Sequence, residues 1–437
     1  SNKTDSLMQH LFTLLLLSAC IVLGSWAQQV KQDILNNPLL SAGNYLPYPG
    51  PDNTALTPAP KGYTPFYLSH YGRHGSRYLI DPHDYTDVMN TLARADSLGL
   101  LTPEGQHTLT IVRRMYDESL NRYGELTPLG AEQHKGIAKR MIERFPQIFE
   151  GKTNIDARST VVIRCILSME NELQTLLLAN PQLQIKQDAS EHDMYYMNFN
   201  DTALFNHRWT PEATSAFQEF SHQHIHGQRL AATLFNDTAY VAQNVDTDKL
   251  FSQLFNLTGI LPNSDLGRHN SLYPLFTKDE LYNAWLVSNA FWYIHGGACP
   301  LNGGKQPYSQ RNLLRNIINQ ADSCLQFDHP GATLRFGHDT MLLPLVVLLN
   351  INGWGKQVGR LDELADADWA CHRIFPMGSN LQLVFYRNPK QADNVLVKVL
   401  LNENEVSLPD LKPVNRCYYR WSDFRTFFLK KINAFRY

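Results

Sequence analysis

The sequence predicts an α/β fold, because short β-rich runs, loops and helical segments alternate in both halves of the chain. Between the two halves, from Glu191 to Gln306, helical patterns and irregular connections predominate. The 437 residues are 43% hydrophobic and 18% charged, which supplies enough apolar side chains for a sizeable core. We therefore predict an α/β core, residues 28–190 and 307–437, interrupted by a mostly helical cap insert, residues 191–306.

The N-terminal segment, residues 1–27, has the pattern of a cleaved export signal. Leu11 to Trp26 is almost uninterrupted apolar sequence, too short for a membrane span, and residues 25–27 close it with a small-x-small pattern. Residues 17–20 also match a lipoprotein processing box, so lipidation at Cys20 stays open. A buried N-terminal helix is disfavoured, because the run lacks a polar face. We expect an exported protein, in the periplasm, on the outer surface or outside the cell.

The first elements of the mature chain follow from local composition. Residues up to about Lys61 are rich in Pro, Asn and Gly, which predicts an extended arm on the surface. The aromatic and β-rich run Tyr63–Tyr71 predicts a buried strand that enters a loop at residues 73–77. Residues 101–105 and 126–130 share a Leu-Thr-Pro-x-Gly pattern, in which Thr caps a helix and Pro lies in its first turn.

The later core elements follow from hydrophobic periodicity. We predict a strand over 154–156 leading into Arg158, a helix over 161–180, a strand over 183–186, a helix over 310–324, a strand over 332–336, a helix over 341–349, and strands over 382–386 and 394–401. In such sheets, ligands bind beyond the carboxyl ends of the strands. The loops at 73–77 and 337–340 both have that position.

Charge and cysteine content limit the possible partners. The 39 Lys and Arg nearly balance the 41 Asp and Glu, so neither nucleic acid nor an anionic membrane is a predicted partner. No membrane span is predicted in the mature chain, and the oligomeric state is left open.

The cysteines do not form a recognisable metal-binding pattern, because the sequence has no CxxC pair of the kind that thiolate zinc sites use. After export, the remaining cysteines allow two disulfides and one free thiol, with the pairing left open: Cys165, Cys299, Cys324, Cys371 and Cys417.

The loop at residues 73–77 carries the first group of chemically informative side chains. Arg73 and Arg77 flank His74 on a tight turn, and Gly75 lets the backbone approach a ligand closely. Guanidinium groups suit phosphate oxygens, and an imidazole among cations has a lowered pKa, which leaves a neutral nitrogen for attack on phosphorus. By itself, such a string could also be a surface salt-bridge loop.

The second loop places His338 and Asp339 where a strand ends and a helix begins. Backbone N–H groups and the helix dipole favour an anion there. An anion beside Asp339 should raise the pKa of its carboxyl and keep it protonated, so we predict that Asp339 is the general acid. The alternative is a His-Asp pair that only caps a helix, but two such loops at strand ends favour a functional site.

These motifs resemble the histidine acid phosphatase branch of the histidine phosphatase superfamily. The resemblance rests on the RHGSR segment at 73–77, the GHD segment at 337–339 and the LTPLG segment at 126–130. Residues 336–345 and 421–425 are further similar to multiple inositol polyphosphate phosphatases. The resemblance implies a phosphoglycerate-mutase-like α/β core and extends from about Tyr63 to the C-terminus.

The family resemblance implies roles for individual residues. It makes His74 the nucleophile that becomes a phosphohistidine, and it makes Arg73, Arg77, Arg158 and His338 the phosphate-binding residues. The third arginine could also be Arg164, which lies near Arg158 in the sequence. No metal or other cofactor is implied.

One departure from the family concerns the acid. Inositol polyphosphate phosphatases usually carry His-Ala-Glu where this chain has His338-Asp339-Thr340, an arrangement similar to that of other histidine acid phosphatases and phytases. We predict a secreted phosphomonoesterase acting on inositol polyphosphates, including phytate. The alternatives are a broad-specificity acid or sugar phosphatase, a mutase-like phosphoryl transferase, and a non-catalytic phosphate binder of the same fold.

Overall fold

A mixed β-sheet forms the centre of the protein. The fold is known from a computed structural model that describes residues 8–9, 28–52 and 55–437. Within these ranges the sheet has eight strands. They are β1 (Thr64–Arg73), β2 (Asn154–Ser159), β3 (Gln184–Ala189), β4 (Gly331–Gly337), β5 (Asn380–Arg387), β6 (Leu396–Leu401), β7 (Asn404–Glu405) and β8 (Tyr418–Arg420).

The strand order brings the two predicted loops together. The order is β3-β2-β4-β1-β5-β6-β7, and β8 pairs with β6. Strands β3, β2, β4 and β1 are parallel, whereas β5 and β6 are antiparallel additions. Arg73 at the end of β1 lies in register with Gly337 at the end of β4. The loops that follow these two strands therefore start side by side at one edge of the sheet.

Helices cover both faces of the sheet and form the region between β3 and β4. They are α1 (28–36), α2 (His83–Ser97), α3 (Pro103–Ser119), α4 (Pro128–Arg144), α5 (Pro146–Phe149), α6 (Ile163–Ala179), α7 (Met194–Met197), α8 (Thr202–Asn206), α9 (Pro211–His224), α10 (Gln228–Leu234), α11 (Thr238–Asn244), α12 (Thr247–Ile260), α13 (Lys278–Gly296), α14 (Arg311–Cys324), α15 (Asp339–Leu348), α16 (Cys371–Ile374) and α17 (Trp421–Asn433). A 3-10 helix spans Pro38–Tyr45.

Burial of apolar side chains explains how these elements pack. Helices α4, α5 and α6 pack on one face of the sheet, and α14, α15 and α17 pack on the other. A separate hydrophobic cluster joins α2 and α3 to α10, α12 and α13. The predicted α/β fold is confirmed, and the predicted helix caps are present, since Thr102 and Thr127 accept hydrogen bonds from the amides of Gly105 and Gly130 at 3.0 and 3.2 Å.

The prediction of an extended arm is wrong for residues 28–45. Val30 and Ile34, one helical turn apart, are buried in α1 against Trp285 and Ala370, so an apolar stripe forms a helix there. The predicted disulfides are absent from this structure, because all five cysteines among the described residues are unpaired.

The predicted export signal, with Cys20, lies outside the described residues apart from Met8 and Gln9. Within the described ranges, no helix combines the length and the apolar composition needed to cross a bilayer.

Candidate active site

The loop after β1 is held by a close contact with the start of α4. A Cβ atom on Gly75 would overlap the backbone of Gly130, and a Cβ on Gly130 would overlap the backbone of Ser76. Thr127 donates its backbone N–H to the Ser76 carbonyl at 2.9 Å. The Leu-Thr-Pro-Leu-Gly motif thus caps α4 and also fixes the path of residues 75–76.

Hydrogen bonds orient the imidazole of His74. The backbone N–H of His74 donates to the Gly337 carbonyl at 3.0 Å, which ties the two predicted loops together. Its ring Nδ1 lies 2.8 Å from the Gly75 carbonyl oxygen. Because a carbonyl only accepts, Nδ1 carries the proton and Nε2 keeps its lone pair. Burial and the charges of Arg73, Arg164 and Arg77 hold the pKa of His74 well below its ordinary value.

His338 and Asp339 extend from the end of β4 into the start of α15. The rings of His74 and His338 are 6.0 Å apart between centroids, and His338 Nε2 lies 3.1 Å from the Thr160 hydroxyl. Burial and the charge of Arg164 lower the pKa of His338 to about 4. Asp339 Oδ2 lies 3.2 Å from Arg73 Nη2, so an ion pair links the two loops.

The pKa of the Asp339 carboxyl is lowered, whereas the sequence predicted that it would be raised. Burial raises its pKa, but Arg73, Arg77 and His338 outweigh burial and leave the pKa below the ordinary value. The sequence analysis predicted a raised pKa from the negative charge of phosphate. A rise in the pKa of Asp339 would need that charge to offset the two arginines.

Three arginines surround His74 with uncommitted donors. Arg73 is fully buried, and its Nη1 donates to the carbonyls of Asn44 and Phe375 at 2.5 and 3.0 Å. The Nε atoms of Arg73, Arg77 and Arg164 are buried and have no hydrogen-bond partner among the described residues. Buried donors normally have partners, so this arrangement suits an anion with several acceptor oxygens.

Comparison with known protein families identifies the family to which this site belongs. The profile of the histidine phosphatase superfamily, branch 2, matches residues 73–402. The chain belongs to this family. The resemblance predicted from the motifs is thereby confirmed, and the chain is a phosphomonoesterase by class. A search of curated proteins found no match.

Solved structures of other histidine phosphatases share the fold. The multiple inositol polyphosphate phosphatase of Bifidobacterium longum, in complex with inositol hexasulfate, has a TM-score of 0.69 at 19% identity, covering 89% of this chain and 97% of that one. The phytase of D. castellii has a TM-score of 0.63 at 14% identity, with coverages of 91% and 85%. Hafnia alvei phytase in complex with myo-inositol hexakis sulphate has a TM-score of 0.54 at 12% identity, with coverages of 85% and 98%.

The structure brings most of the residues predicted for this histidine phosphatase together, with one exception. His74, Arg73, Arg77, His338 and Asp339 form one cluster, as described above. Arg158 lies on β2 and pairs instead with three carboxylates, at 2.9 Å from Asp156, 3.6 Å from Asp188 and 3.5 Å from Asp193.

Arg164, in the first turn of α6, takes the position expected of Arg158. Its charge lowers the pKa of both His74 and His338, and its buried Nε has no partner among the described residues, whereas Arg158 is held by carboxylates. The geometry therefore favours Arg164 as the third arginine. The physical reason is that Arg158 still lies within β2, whereas the start of α6 contacts both loops: the Gly75 N–H donates to Ser168 Oγ at 3.1 Å, and Cys165 Sγ lies 3.3 Å from the Gly337 carbonyl oxygen.

Sequence reasoning missed several residues that support the site. Asn44, in the 3-10 helix, places its side-chain amide 3.4 Å from Asp339 Oδ2. The buried His134 lies on α4, with Nε2 3.0 Å from the Arg73 carbonyl and Nδ1 2.7 Å from Glu172. The sequence did carry a signal for His134. It lies seven residues, or about two helical turns, after Thr127, and therefore on the same face of α4 as the residue that contacts the β1 loop. No local pattern marked Asn44, which comes from a distant segment.

Proposed function

We propose that this protein is an exported histidine acid phosphatase that hydrolyses inositol polyphosphates, phytate among them, through a phosphohistidine on His74. The observation that carries the proposal is the unprotonated Nε2 of His74, surrounded by Arg73, Arg77 and Arg164 with uncommitted N–H donors. A neutral nucleophile beside a set of phosphate donors is what in-line attack on a phosphomonoester requires.

In the first step, the lone pair of His74 Nε2 forms a bond to phosphorus while the ester P–O bond breaks. Asp339 transfers its proton to the departing oxygen, which leaves as an alcohol. Arg73, Arg77, Arg164 and His338 bind the remaining phosphoryl oxygens, and the charge of the three arginines stabilises the transition state. The hydrogen bond from Nδ1 to the Gly75 carbonyl keeps the ring aligned during attack.

In the second step, a water oxygen attacks phosphorus and the N–P bond breaks. The Asp339 carboxylate accepts the proton of that water, so inorganic phosphate leaves and the starting state returns. Because Arg73 and Arg77 lower the pKa of Asp339, the protonated acid needed for the first step is best populated at acid pH. We therefore expect an acid phosphatase.

Support for inositol polyphosphates comes from the motifs and from the relatives. Two similar solved proteins are described in complex with inositol hexasulfate or hexakis sulphate. Export is proposed from the apolar run at residues 11–26 alone. The test is steady-state kcat/KM of the purified protein for phytate, glucose 1-phosphate and phenyl phosphate, with free phosphate as the product measured. A clear preference for phytate is expected, and no preference would contradict the substrate assignment.

A second candidate is a broad-specificity acid or sugar phosphatase. A cavity of about 410 Å³ lies between the 3-10 helix, α12 and α13, and shares Asn44 with the candidate site. Its lining among the described residues includes aromatic rings such as Phe291 and Trp292 but no charged side chain. Such a wall favours a neutral alcohol portion of the substrate. A higher kcat/KM for glucose 1-phosphate than for phytate would support this candidate.

A further inference from the structure

Two basic side chains of the helical region lie close to the candidate active site without an acidic partner. Arg208, between α8 and α9, is partly exposed, but its Nε is buried without a partner, and no ion pair or side-chain hydrogen bond involves its guanidinium among the described residues. Its guanidinium carbon lies 3.9 Å from the centre of the Phe205 ring. His295, at the end of α13, has a buried Nδ1 that also lacks a partner.

Aromatic rings hold His295 in place. Its ring stacks on Phe291 at 4.3 Å between centroids, and Trp209 and Trp292 contact it edge-on at 5.9 and 5.6 Å. Trp209 follows Arg208 directly in the chain, so the backbone beside Arg208 is anchored at this aromatic cluster, while the Arg208 guanidinium itself packs on Phe205. A packed aromatic frame restricts the rotamers of the two side chains and lowers the entropy lost on binding a ligand.

The end of α13 packs directly against the middle of α15, about one helical turn after Asp339. A Cβ on Gly296 would crowd Leu343 and Pro344, so the glycine permits the close approach of the two helices. Asp339 begins α15, and its charge acts on His295, as does that of Arg208. Trp292 contacts Phe375 at 5.2 Å, and the Phe375 carbonyl accepts a hydrogen bond from Arg73. Arg208 and His295 therefore lie beside the position proposed for the reacting phosphate.

We infer that Arg208 and His295 form a second anion subsite, which binds a further phosphate group of a polyphosphorylated substrate. This inference rests on the proposed function of the adjacent site. A buried Nε donor without a partner costs free energy, and an anionic ligand at the partly exposed Arg208 guanidinium would satisfy it. Arg208 supplies a planar fork for two phosphate oxygens, and the His295 ring supplies an N–H.

The test is competition against p-nitrophenyl phosphate hydrolysis, with inositol hexakisphosphate and inorganic phosphate as inhibitors. The readout is the inhibition constant for hexakisphosphate divided by that for inorganic phosphate. Arg208→Gln should raise this ratio about tenfold, because hydrogen bonds between charged groups are lost. His295→Gln should raise it less, and Arg208→Lys should restore part of the loss.

The control is Arg268→Gln, which removes one positive charge from the same helical region. Arg268 is exposed and pairs with Asp265, so its loss should change the ratio less than about twofold. A ratio in Arg208→Gln equal to that of the control, or a wild-type protein that hexakisphosphate does not inhibit, would overturn the subsite. Competition does not require turnover of hexakisphosphate. A wild-type protein that is inhibited by it but releases no phosphate from it would instead contradict the proposed substrate.

Discussion

The third arginine proposed for phosphate binding is one that the sequence alone does not assign. Arg158 and Arg164 are six positions apart, and both follow a predicted strand. The structure surrounds Arg158 with carboxylates and turns Arg164 towards His74 and His338. Since a guanidinium held by three carboxylates has little capacity left for a ligand, we assign the third phosphate contact to Arg164.

We predict that Arg164→Gln lowers kcat/KM for p-nitrophenyl phosphate by about 100-fold or more, because one donor to the transition state is lost. Arg158→Gln serves as the matched control and should change kcat/KM by less than about threefold, since partly exposed ion pairs contribute little. Steady-state kinetics of both purified variants provides the comparison. A large loss in Arg158→Gln with a small loss in Arg164→Gln would reverse the assignment.

We predict that Asp339→Asn slows hydrolysis of alkyl phosphates far more than hydrolysis of p-nitrophenyl phosphate. A poor leaving group needs a proton from the general acid, worth about 100-fold or more, whereas p-nitrophenolate needs little help. The ratio of the two kcat/KM values is the informative quantity, because loss of the ion pair with Arg73 affects both substrates alike. Equal slowing of the two reactions would remove Asp339 from the role of acid.

Most of the reacting residues were predictable, and their supports were not. His74, Arg73, Arg77 and His338 belong to short motifs whose residue types suffice to indicate phosphate chemistry. Asn44 and Glu172 touch the site only through tertiary packing, which leaves no local pattern to find. The lowered pKa of Asp339 likewise depends on distances to Arg73 and Arg77 that only the fold defines.

At the scale of elements, the loop after β1 and the start of α4 pack closely beside the site. Gly75 and Gly130 face each other with no room for a side chain, and His134 on α4 lies within hydrogen-bond distance of the Arg73 carbonyl. The helix caps Thr102 and Thr127 were predicted from their patterns. The mutual approach of two glycines from distant segments could not be, because either glycine alone is compatible with an ordinary turn.

We predict that Gly130→Ala lowers the free energy of unfolding by about 1 to 3 kcal/mol, because the added methyl overlaps the backbone of Ser76. It should also lower kcat by about 100-fold if the displaced loop moves His74 by about 1 Å. Gly359→Ala is the control, since a Cβ there meets nothing within 4 Å. Denaturant midpoints and kcat of both variants are the measurements. An unchanged kcat in Gly130→Ala would mean that this contact does not position the loop.

At the scale of the whole molecule, the helical region between β3 and β4 contacts the loop after β1, since Ser76 Oγ donates a hydrogen bond to Asn263 Oδ1 at 2.5 Å. The division into a core of 28–190 and 307–437 and a cap of 191–306 remains a proposal. Helices α2 and α3 fall within the first core segment but share a hydrophobic cluster with α10 and α12. We therefore propose that the cap includes α2 and α3. Sequence periodicity identifies helices but not the layer that each one joins, and α2 was not predicted at all.

We predict that the protein loses stability as pH falls from about 6.5 towards about 4. Burial lowers the pKa of several histidines below the ordinary value of 6.5, to about 3 for His70 and His372 and to about 4 for His295 and His338. In this window the unfolded chain binds more protons than the folded protein. Each such histidine therefore lowers the free energy of unfolding by about 1.4 kcal/mol for each unit that the pH falls. The raised pKa of the buried Glu172 carboxyl opposes this trend.

Thermal unfolding midpoints measured across this pH range should therefore fall on acidification. His372→Gln, which removes one buried histidine away from the site, should make the decline shallower. A midpoint that stays constant or rises towards acid pH would show that these histidines do not control stability. Activity should respond to pH in the opposite direction, because protonation of Asp339 favours the first catalytic step in the same pH range.

The central claim is that His74 Nε2 receives the phosphoryl group. Rapid quenching of the wild-type protein during turnover of a radiolabelled phosphomonoester, followed by peptide mapping, tests it most directly. The account predicts an acid-labile label on the peptide that contains His74, and no label in His74→Ala, which should also lack turnover. A turning-over enzyme that never carries label on this histidine, or carries it on another residue, would contradict the account.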